Sequence, residues 1–121
     1  LSPQMIERGY SAAGQFGSAV PVVAVTDSVR QVAADGNSKS LERSSLRAVQ
    51  TPQIFPLGTL RKAYQQPFSP AFTDDASVVE AMGVKIALYE GENTNFKITY
   101  ADDLKRAASI MRTQNGCTSS K

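Results

Sequence analysis

Four polar side chains stand at places where open α/β sheets bind ligands. Thr51, Thr73 and Lys97 lie where predicted strands end or predicted helices begin, and Arg43 lies in a predicted ribbon. An arginine can bind a phosphate through two parallel hydrogen bonds, a lysine acts as a point charge, and hydroxyl groups add further hydrogen-bond donors. The set contains no general base. These residue types therefore indicate binding of an anionic oxygen ligand such as phosphate.

Each residue also has a purely structural interpretation. Thr73 is most simply a helix cap, which we favour at about two to one because threonine is preferred there. Thr51 precedes Pro52, and a residue before proline is pushed out of the helical region. Lys97 fits the solvent face of an edge strand, and Arg43 fits a solvated ribbon. Spacing alone predicts an α/β domain with phosphate as a candidate ligand.

Composition limits the class of protein. The chain has 121 residues, of which 41% are hydrophobic and 20% charged, as expected for one globular domain. The longest apolar run, residues 19–25, is too short to cross a bilayer, so we expect no membrane partner. The net charge of +2 is scattered along the chain, which does not favour nucleic acid as a partner.

The inventory of nucleophiles and metal ligands is small. The chain has no histidine, and Cys117 is its single cysteine. Disulfide frameworks, His/Cys metal sites and Ser-His-Asp or Cys-His catalysis within this chain are therefore excluded. A carboxylate-bound Mg²⁺ stays open.

Periodicity and turn signals predict the elements of the first half. Ser2 and Pro3 begin a helix whose apolar face is formed by Ile6, Tyr10 and Ala13. The run at residues 19–25 predicts a strand covered on both faces. Residues 28–44 predict a polar hairpin around the turn Asp35-Gly36-Asn37. A lone two-stranded ribbon is marginally stable in water, so the body of this chain or another subunit must cover it.

The second half predicts three helices and two strands. One helix carries Leu57, Leu60 and Tyr64, and the next is capped by Thr73 or Asp74 and ends at Gly83. Strands are predicted for "VKIALYEG" and "NFKIT". The last helix begins at Thr99 with Asp102 in a capping box, and residues 113–121 form a flexible tail. Its predicted apolar stripe comprises Leu104, Ala107, Ala108 and Met111.

The order of the segments carries more information than any single one. The stretches "AVPVVAVTDSVRQV", "LERSSLRAVQTPQIF", "FTDDASVVEAMG" and "EGENTNFKITYADDL" resemble the 2-C-methyl-D-erythritol 4-phosphate cytidylyltransferase family in order and separation. The resemblance covers residues 1–112 and implies the carboxyl-terminal half of one domain. It implies a partial Rossmann-like α/β nucleotidyltransferase sheet with a protruding β-hairpin dimerisation arm at about residues 28–44. It also implies a cytoplasmic location.

The resemblance assigns roles to five residues. Arg43 and Lys97 position the attacking phosphate of methylerythritol phosphate, and Ser28, Thr51 and Thr73 bind the same substrate. Arg43 reaches the active site of a partner subunit through the arm, which implies a homodimer. The second substrate is CTP, held with Mg²⁺ mainly by an amino-terminal half that this sequence lacks, and no metal ligand is expected here. We therefore expect a fragment that is inactive alone.

Three departures and two alternatives accompany the resemblance. Ser28, Glu42 and Phe96 stand where the family more often has Thr, Asp and Ile. Phe96 alters the packing around Lys97. One alternative is a ribitol 5-phosphate cytidylyltransferase, which shares similar motifs. The other is a non-catalytic phosphate-binding or dimerisation module, favoured by the absence of a glycine-rich nucleotide loop.

The family resemblance also implies a structural explanation for the segment "QTPQ". Thr51 would face substrate at a strand end, and Pro52 would hold the backbone out of helix. Gln50 and Gln53 would satisfy exposed backbone groups where the sheet ends.

Overall fold

A computed structural model describes the backbone of residues 1–119 and the side chains through Thr113. Helices precede, separate and follow the strands in the described residues, so the predicted α/β class is confirmed. No helix in this part of the chain combines the length and apolar character needed to cross a membrane. The helices are α1 Pro3–Phe16, α2 Leu57–Ala63, α3 Asp75–Ala81 and α4 Ala101–Ser119, and the strands are β1 Val20–Ala24, β2 Arg30–Val32, β3 Ser38–Ser40, β4 Arg47–Val49 and β5 Leu88–Glu90.

The main sheet has three strands in the order β4-β1-β5. β1 runs antiparallel to β4, with Val23 opposite Ala48, and parallel to β5, with Pro21 opposite Tyr89. The helices α2 and α3 lie in the crossover between the two parallel strands. β1 is less buried than predicted. Val20 and Pro21 at its start are buried, whereas Ala24 at its end is exposed. The carboxyl end of the central strand therefore opens towards solvent.

The predicted hairpin is confirmed as a separate two-stranded ribbon. β2 and β3 pair with Gln31 opposite Lys39, and every residue of both strands is exposed. Asp35 accepts a hydrogen bond from the Asn37 amide at 2.9 Å, and Gly36 takes a positive φ of 88°. Local turn chemistry alone therefore forms the tip. Within the described residues, no other element packs over the ribbon.

Two apolar clusters hold the body together. The first joins α1 to the sheet through Met5, Ala19 and Tyr89, with Ile54 packed against them. The second lies between α2 and α3 and contains Ala63, Val78 and Val79, with partly buried neighbours Phe55, Leu60, Phe72, Met82, Val84 and Ile86.

The predicted apolar face of α1 is correct for Ala13, which packs against the first cluster, but not for Tyr10. Met5 and Gly9 are buried, whereas Tyr10 is 66% exposed. Gly9 decides the face, because a Cβ there would lie 2.9 Å from the Tyr89 ring and 2.8 Å from Ile54 Cδ1. Helix α1 can approach the sheet this closely only because residue 9 is glycine and has no side chain.

We expect Gly9→Ala and Gly14→Ala to change stability in opposite directions. Both lie in α1, but a Cβ at Gly14 has no heavy atom within 4 Å. Gly14→Ala should gain about 0.5–1 kcal/mol of helix stability. Gly9→Ala should instead lose about 1–3 kcal/mol by overpacking. Urea denaturation of the purified protein measures both, and equal stabilisation would show that helix α1 can move away from the sheet without cost.

Two predicted features between residues 95 and 103 need correction. "NFKIT" is not a strand: residues 91–100 contain no helix or strand, because side chains rather than a ladder hold that segment. The acidic side chain that reaches back to the start of α4 is Asp103 and not the predicted Asp102, since Asp103 Oδ2 accepts from the Thr99 and Tyr100 amides at 3.1 and 3.0 Å. These bonds, that of Tyr100 foremost, lower the pKa of Asp103.

The far carboxyl terminus differs from the predicted tail in part. α4 includes residues 113–119, which we expected to lie beyond the helix, while residues 120 and 121 lie outside the described residues. The predicted apolar stripe of α4 is largely solvent-facing, with Leu104 and Met111 61% and 62% exposed.

Candidate functional site

A cavity of about 740 Å³ lies where β4 ends and α3 begins. Its walls include Thr51, Thr73 and Lys97, three of the residues singled out by the sequence, which are far apart along the chain. The volume falls within the range of small-molecule sites. Further lining residues are Val23, Ala48, Val49, Gln50, Gln53, Asp74, Asn95 and Phe96.

Thr51 reaches this cavity because β4 ends two residues earlier. The Gln50 amide still pairs with Pro21 O at 2.8 Å, and a cis Thr51–Pro52 bond then redirects the chain. Tyr89 Oη donates to Pro52 O at 2.9 Å and supports the turn from the core. Burial raises the pKa of Tyr89, so the phenol remains a donor at neutral pH. Thr51 itself is exposed, which leaves its hydroxyl accessible to a ligand.

Thr73 is not the cap of α3. That role belongs to Asp74, whose Oδ1 accepts from the Ser77 amide at 2.8 Å, while Ser77 Oγ accepts from the Asp74 amide at 3.2 Å. Thr73 lies one residue earlier, exposed, with its amide donating to Ser77 Oγ at 3.0 Å. The helix-cap role that we favoured for Thr73 from composition was therefore wrong, and the other candidate, Asp74, is the cap. Thr73 lies at the cavity and does not cap α3.

The two glutamines of "QTPQ" tie neighbouring segments to the cavity. Gln53 Oε1 accepts from the Ala76 amide and Gln53 Nε2 donates to Asp74 Oδ2, both at 3.0 Å. Gln50 Nε2 donates to Glu92 O and Asn95 O, both at 2.7 Å. The prediction that these side chains satisfy backbone groups is confirmed.

Lys97 lies in the irregular segment after β5 and is exposed. Its neighbour Phe96 is covered by the Arg106 guanidinium of α4, which lies 4.0 Å from the ring centroid. Such a cation–π contact is worth about 0.5–1 kcal/mol at an exposed site. Phe96, the predicted departure near Lys97, therefore links the segment to α4.

Arg43 does not join this cavity within one subunit. It begins a short 3-10 turn, Arg43–Ser45, and its guanidinium donates to Thr26 O. It lines a second cavity of about 940 Å³ together with Arg47, at the carboxyl end of β1. Ser28 is exposed between β1 and β2 and lines neither cavity. The structure therefore does not bring Arg43 or Ser28 to the cavity of Lys97 within one subunit.

The potential metal ligands in the described part of the chain are dispersed. Within the described residues, no three His, Cys, Asp or Glu side chains cluster as a metal site requires. The donors present here do not build a Mg²⁺ site, and the acidic side chain that lines the cavity, Asp74, is occupied as a cap.

Comparison with known proteins agrees with this arrangement. The IspD family model, described as 2-C-methyl-D-erythritol 4-phosphate cytidylyltransferase, matches residues 1–113. The chain belongs to this family.

Individual relatives agree with the family match and define its extent. The cytidylyltransferase of Bacteroides thetaiotaomicron is 44% identical over 108 residues, which cover 89% of this chain and 49% of that protein. A crystal structure of the Thermus thermophilus enzyme superimposes with a TM-score of 0.78 at 36% identity, covering 93% of this chain and 56% of the other. The Francisella tularensis enzyme superimposes with a TM-score of 0.76 at 31% identity, covering 89% and 52%.

These superpositions confirm the predicted Rossmann-like nucleotidyltransferase sheet with its β-hairpin. The chain spans about half the length of the curated relatives it matches.

Sequence reasoning assigned no individual role to Asn95, which lines the same cavity as Lys97. Asn95 Nδ2 donates to Thr51 O at 2.6 Å and so links Thr51 to the segment that carries Lys97. The signal was present, because Asn95 opens the N-x-K-I-T stretch that carries the family resemblance.

Proposed function

We propose that this chain forms the acceptor side of an enzyme that transfers a cytidylyl group from CTP to 2-C-methyl-D-erythritol 4-phosphate. The observation that carries the proposal is the convergence of Thr51, Thr73 and Lys97 on one cavity in a member of this family. A phosphate oxygen of the acceptor attacks the α-phosphorus of CTP, and pyrophosphate leaves. Lys97 supplies positive charge to the acceptor phosphate, and the two hydroxyls donate hydrogen bonds to it.

Such a transfer is catalysed mainly by positioning and by charge neutralisation. This explains why a site without a general base is sufficient. The CTP-binding groups belong to the part of the enzyme outside this sequence, as does Mg²⁺, which neutralises phosphate charge when bound. This chain alone is then inactive. A cytoplasmic location is part of the same proposal.

The hairpin supplies the remaining cation from a second subunit. The strands β2 and β3 are fully exposed, and Arg43 follows them at the base of the arm. A homodimer in which each arm crosses to its partner would cover the ribbon and bring Arg43 and Ser28 towards the partner's Lys97. The exposed ribbon and the separation of the two cavities within one subunit support this arrangement.

Acceptor choice tests the proposal directly. The protein expressed from the complete coding sequence should release pyrophosphate from CTP with methylerythritol phosphate, and at most slowly with ribitol 5-phosphate. A coupled pyrophosphate assay with each alcohol phosphate at equal concentration measures this difference. Turnover with ribitol 5-phosphate alone would replace the acceptor assignment, and turnover with neither would favour a non-catalytic module.

A further inference from the structure

The segment that carries Lys97 has no regular structure to hold it. Residues 91–97 contain no helix or strand, and the side chain of Lys97 is exposed. An ammonium on a loose segment would spread over many positions and lose the benefit of prior orientation. Some other contact must therefore fix the backbone of this segment relative to the cavity.

The side chain of Gln50 makes that contact with both ends of its amide group. Its Nε2 uses two donor hydrogens on Glu92 O and Asn95 O, both at 2.7 Å. Its Oε1 accepts from the Glu92 amide at 3.1 Å. Gln50 is half-buried, which strengthens bonds that water would otherwise compete for. The side chain thus replaces the ladder that a strand at residues 92–95 would have formed.

Asn95 completes the link in the reverse direction. Its Nδ2 donates to Thr51 O, the residue directly after Gln50. Two side chains therefore cross between the same two segments, one from each side. One segment carries Thr51 and the other carries Lys97, so the crossing bonds set the separation of two proposed phosphate contacts.

Gly91 shows how closely the two segments fit. A Cβ at this position would overlap Gln50 Oε1 and would lie 3.3 Å from Val22 O. The Gly91 amide itself donates to Val22 O at 2.9 Å, so the backbone cannot withdraw without losing that bond. Residue 91 must therefore be glycine for the Gln50 side chain to occupy its position.

We propose that Gln50 is a positioning residue that holds Lys97 against Thr51 through the backbone of residues 92–95. The inference rests on the proposed function, and it adds to it a residue that acts through the backbone of the lysine segment. The Gln50 amide orients the lysine segment, and loss of that amide lets the ammonium leave the acceptor phosphate.

The test uses two variants of the complete enzyme and two readouts. Gln50→Leu removes the three bonds with little change in volume, and Gly91→Ala displaces the same amide by adding one methyl group. Hydrogen exchange monitored by mass spectrometry reports on the amides of residues 92–97. Exchange there should accelerate about tenfold in both variants, because several hydrogen bonds are lost together. Steady-state kinetics should show kcat/KM for methylerythritol phosphate falling about 10- to 100-fold with the KM for CTP unchanged.

Matched controls separate positioning from general destabilisation. Gln66 is a half-buried glutamine whose Nε2 donates to Ala63 O and Val78 O at 2.8 and 2.9 Å, away from this cavity. Gln66→Leu should lower stability without changing exchange at residues 92–97 or the acceptor KM. Gly58→Ala adds a methyl group with no heavy atom within 4 Å and should change neither readout.

The outcomes distinguish this inference from the proposed function. Unchanged exchange at residues 92–97 in both variants would overturn the role of Gln50, as would faster exchange with normal acceptor kinetics. An equal rise in the KM for CTP would also overturn it, because the defect would then be general. If the wild-type enzyme fails to use methylerythritol phosphate, the proposed function falls, and the exchange data still decide whether Gln50 holds the segment.

Discussion

Replacing Lys97 with methionine in the complete enzyme should lower kcat/KM for methylerythritol phosphate by about 10²- to 10³-fold, the usual cost of removing one preorganised charge or donor. Methionine is an unbranched side chain one atom shorter than lysine, and it lacks the charge and the three hydrogen-bond donors of the ammonium. Lys97 is exposed at the cavity that also contains Thr51 and Thr73, and no helix or strand depends on it. Stability should therefore stay within about 0.5 kcal/mol of wild type.

Lys85 provides the control for this substitution. It is another exposed lysine, and it lies in the connection before β5 rather than at the cavity. Lys85→Met should leave kcat/KM unchanged. Pyrophosphate release measured at varied acceptor and saturating CTP gives the comparison. If the two variants behave alike, Lys97 does not contact the acceptor phosphate and the assignment of the cavity is wrong.

Arg43→Ala should reduce turnover by a similar factor of about 10²–10³, while leaving the affinity for CTP nearly unchanged. Arg43 follows the exposed ribbon, and in the proposed homodimer it serves the partner's site. The matched control is Arg30→Ala, because Arg30 lies on the same ribbon and its Nε donates to Ser38 Oγ of that ribbon at 3.0 Å. An equally large loss of CTP affinity in Arg43→Ala would contradict its assignment to the acceptor.

Mixing the two inactive variants tests whether Arg43 acts across the dimer. In a mixed dimer, the subunit with Arg43→Ala retains Lys97, and its partner with Lys97→Met retains Arg43. One of the two sites is then intact, so random reassortment should restore about a quarter of wild-type activity. Each variant alone stays inactive. If mixing restores no activity after subunit exchange is verified by native mass spectrometry, Arg43 does not serve the partner's site.

Signals within a few residues of one another predicted much of the fold. Ser2 caps α1 as expected, with its Oγ accepting from the Met5 amide at 3.1 Å. The Asp35-Gly36-Asn37 turn forms the hairpin tip, and Gly83 follows α3 with a positive φ of 88°. Caps and turns depend on hydrogen bonds and backbone preferences that lie inside the segment itself. For this reason they can be predicted from sequence without knowledge of the rest of the fold.

The candidate site was predictable in its residue types and, through the family resemblance, in the grouping of three of its residues. Thr51, Thr73 and Lys97 were identified from their places in the chain and from family motifs, and they do share a cavity. The role of Thr73 as a cap was mistaken, because Thr73 and Asp74 are both good caps and only the geometry distinguishes them. The assignment of Arg43 to a partner's site remains a prediction.

Long-range packing decided the features that the sequence alone had misassigned. The buried face of α1 depends on the approach of Gly9 to Tyr89, a residue 80 positions away. The segment "NFKIT" has the composition of a strand, yet Gln50 and Asn95 hold it through side-chain bonds that span more than 40 residues. The spacing of apolar residues indicates whether a segment tends to form a helix or a strand. Its final conformation also depends on which distant groups form hydrogen bonds with its backbone. Residue order therefore determined the elements and the chemistry available to them, and the tertiary contacts decided which faces are buried and how Lys97 is held beside Thr51.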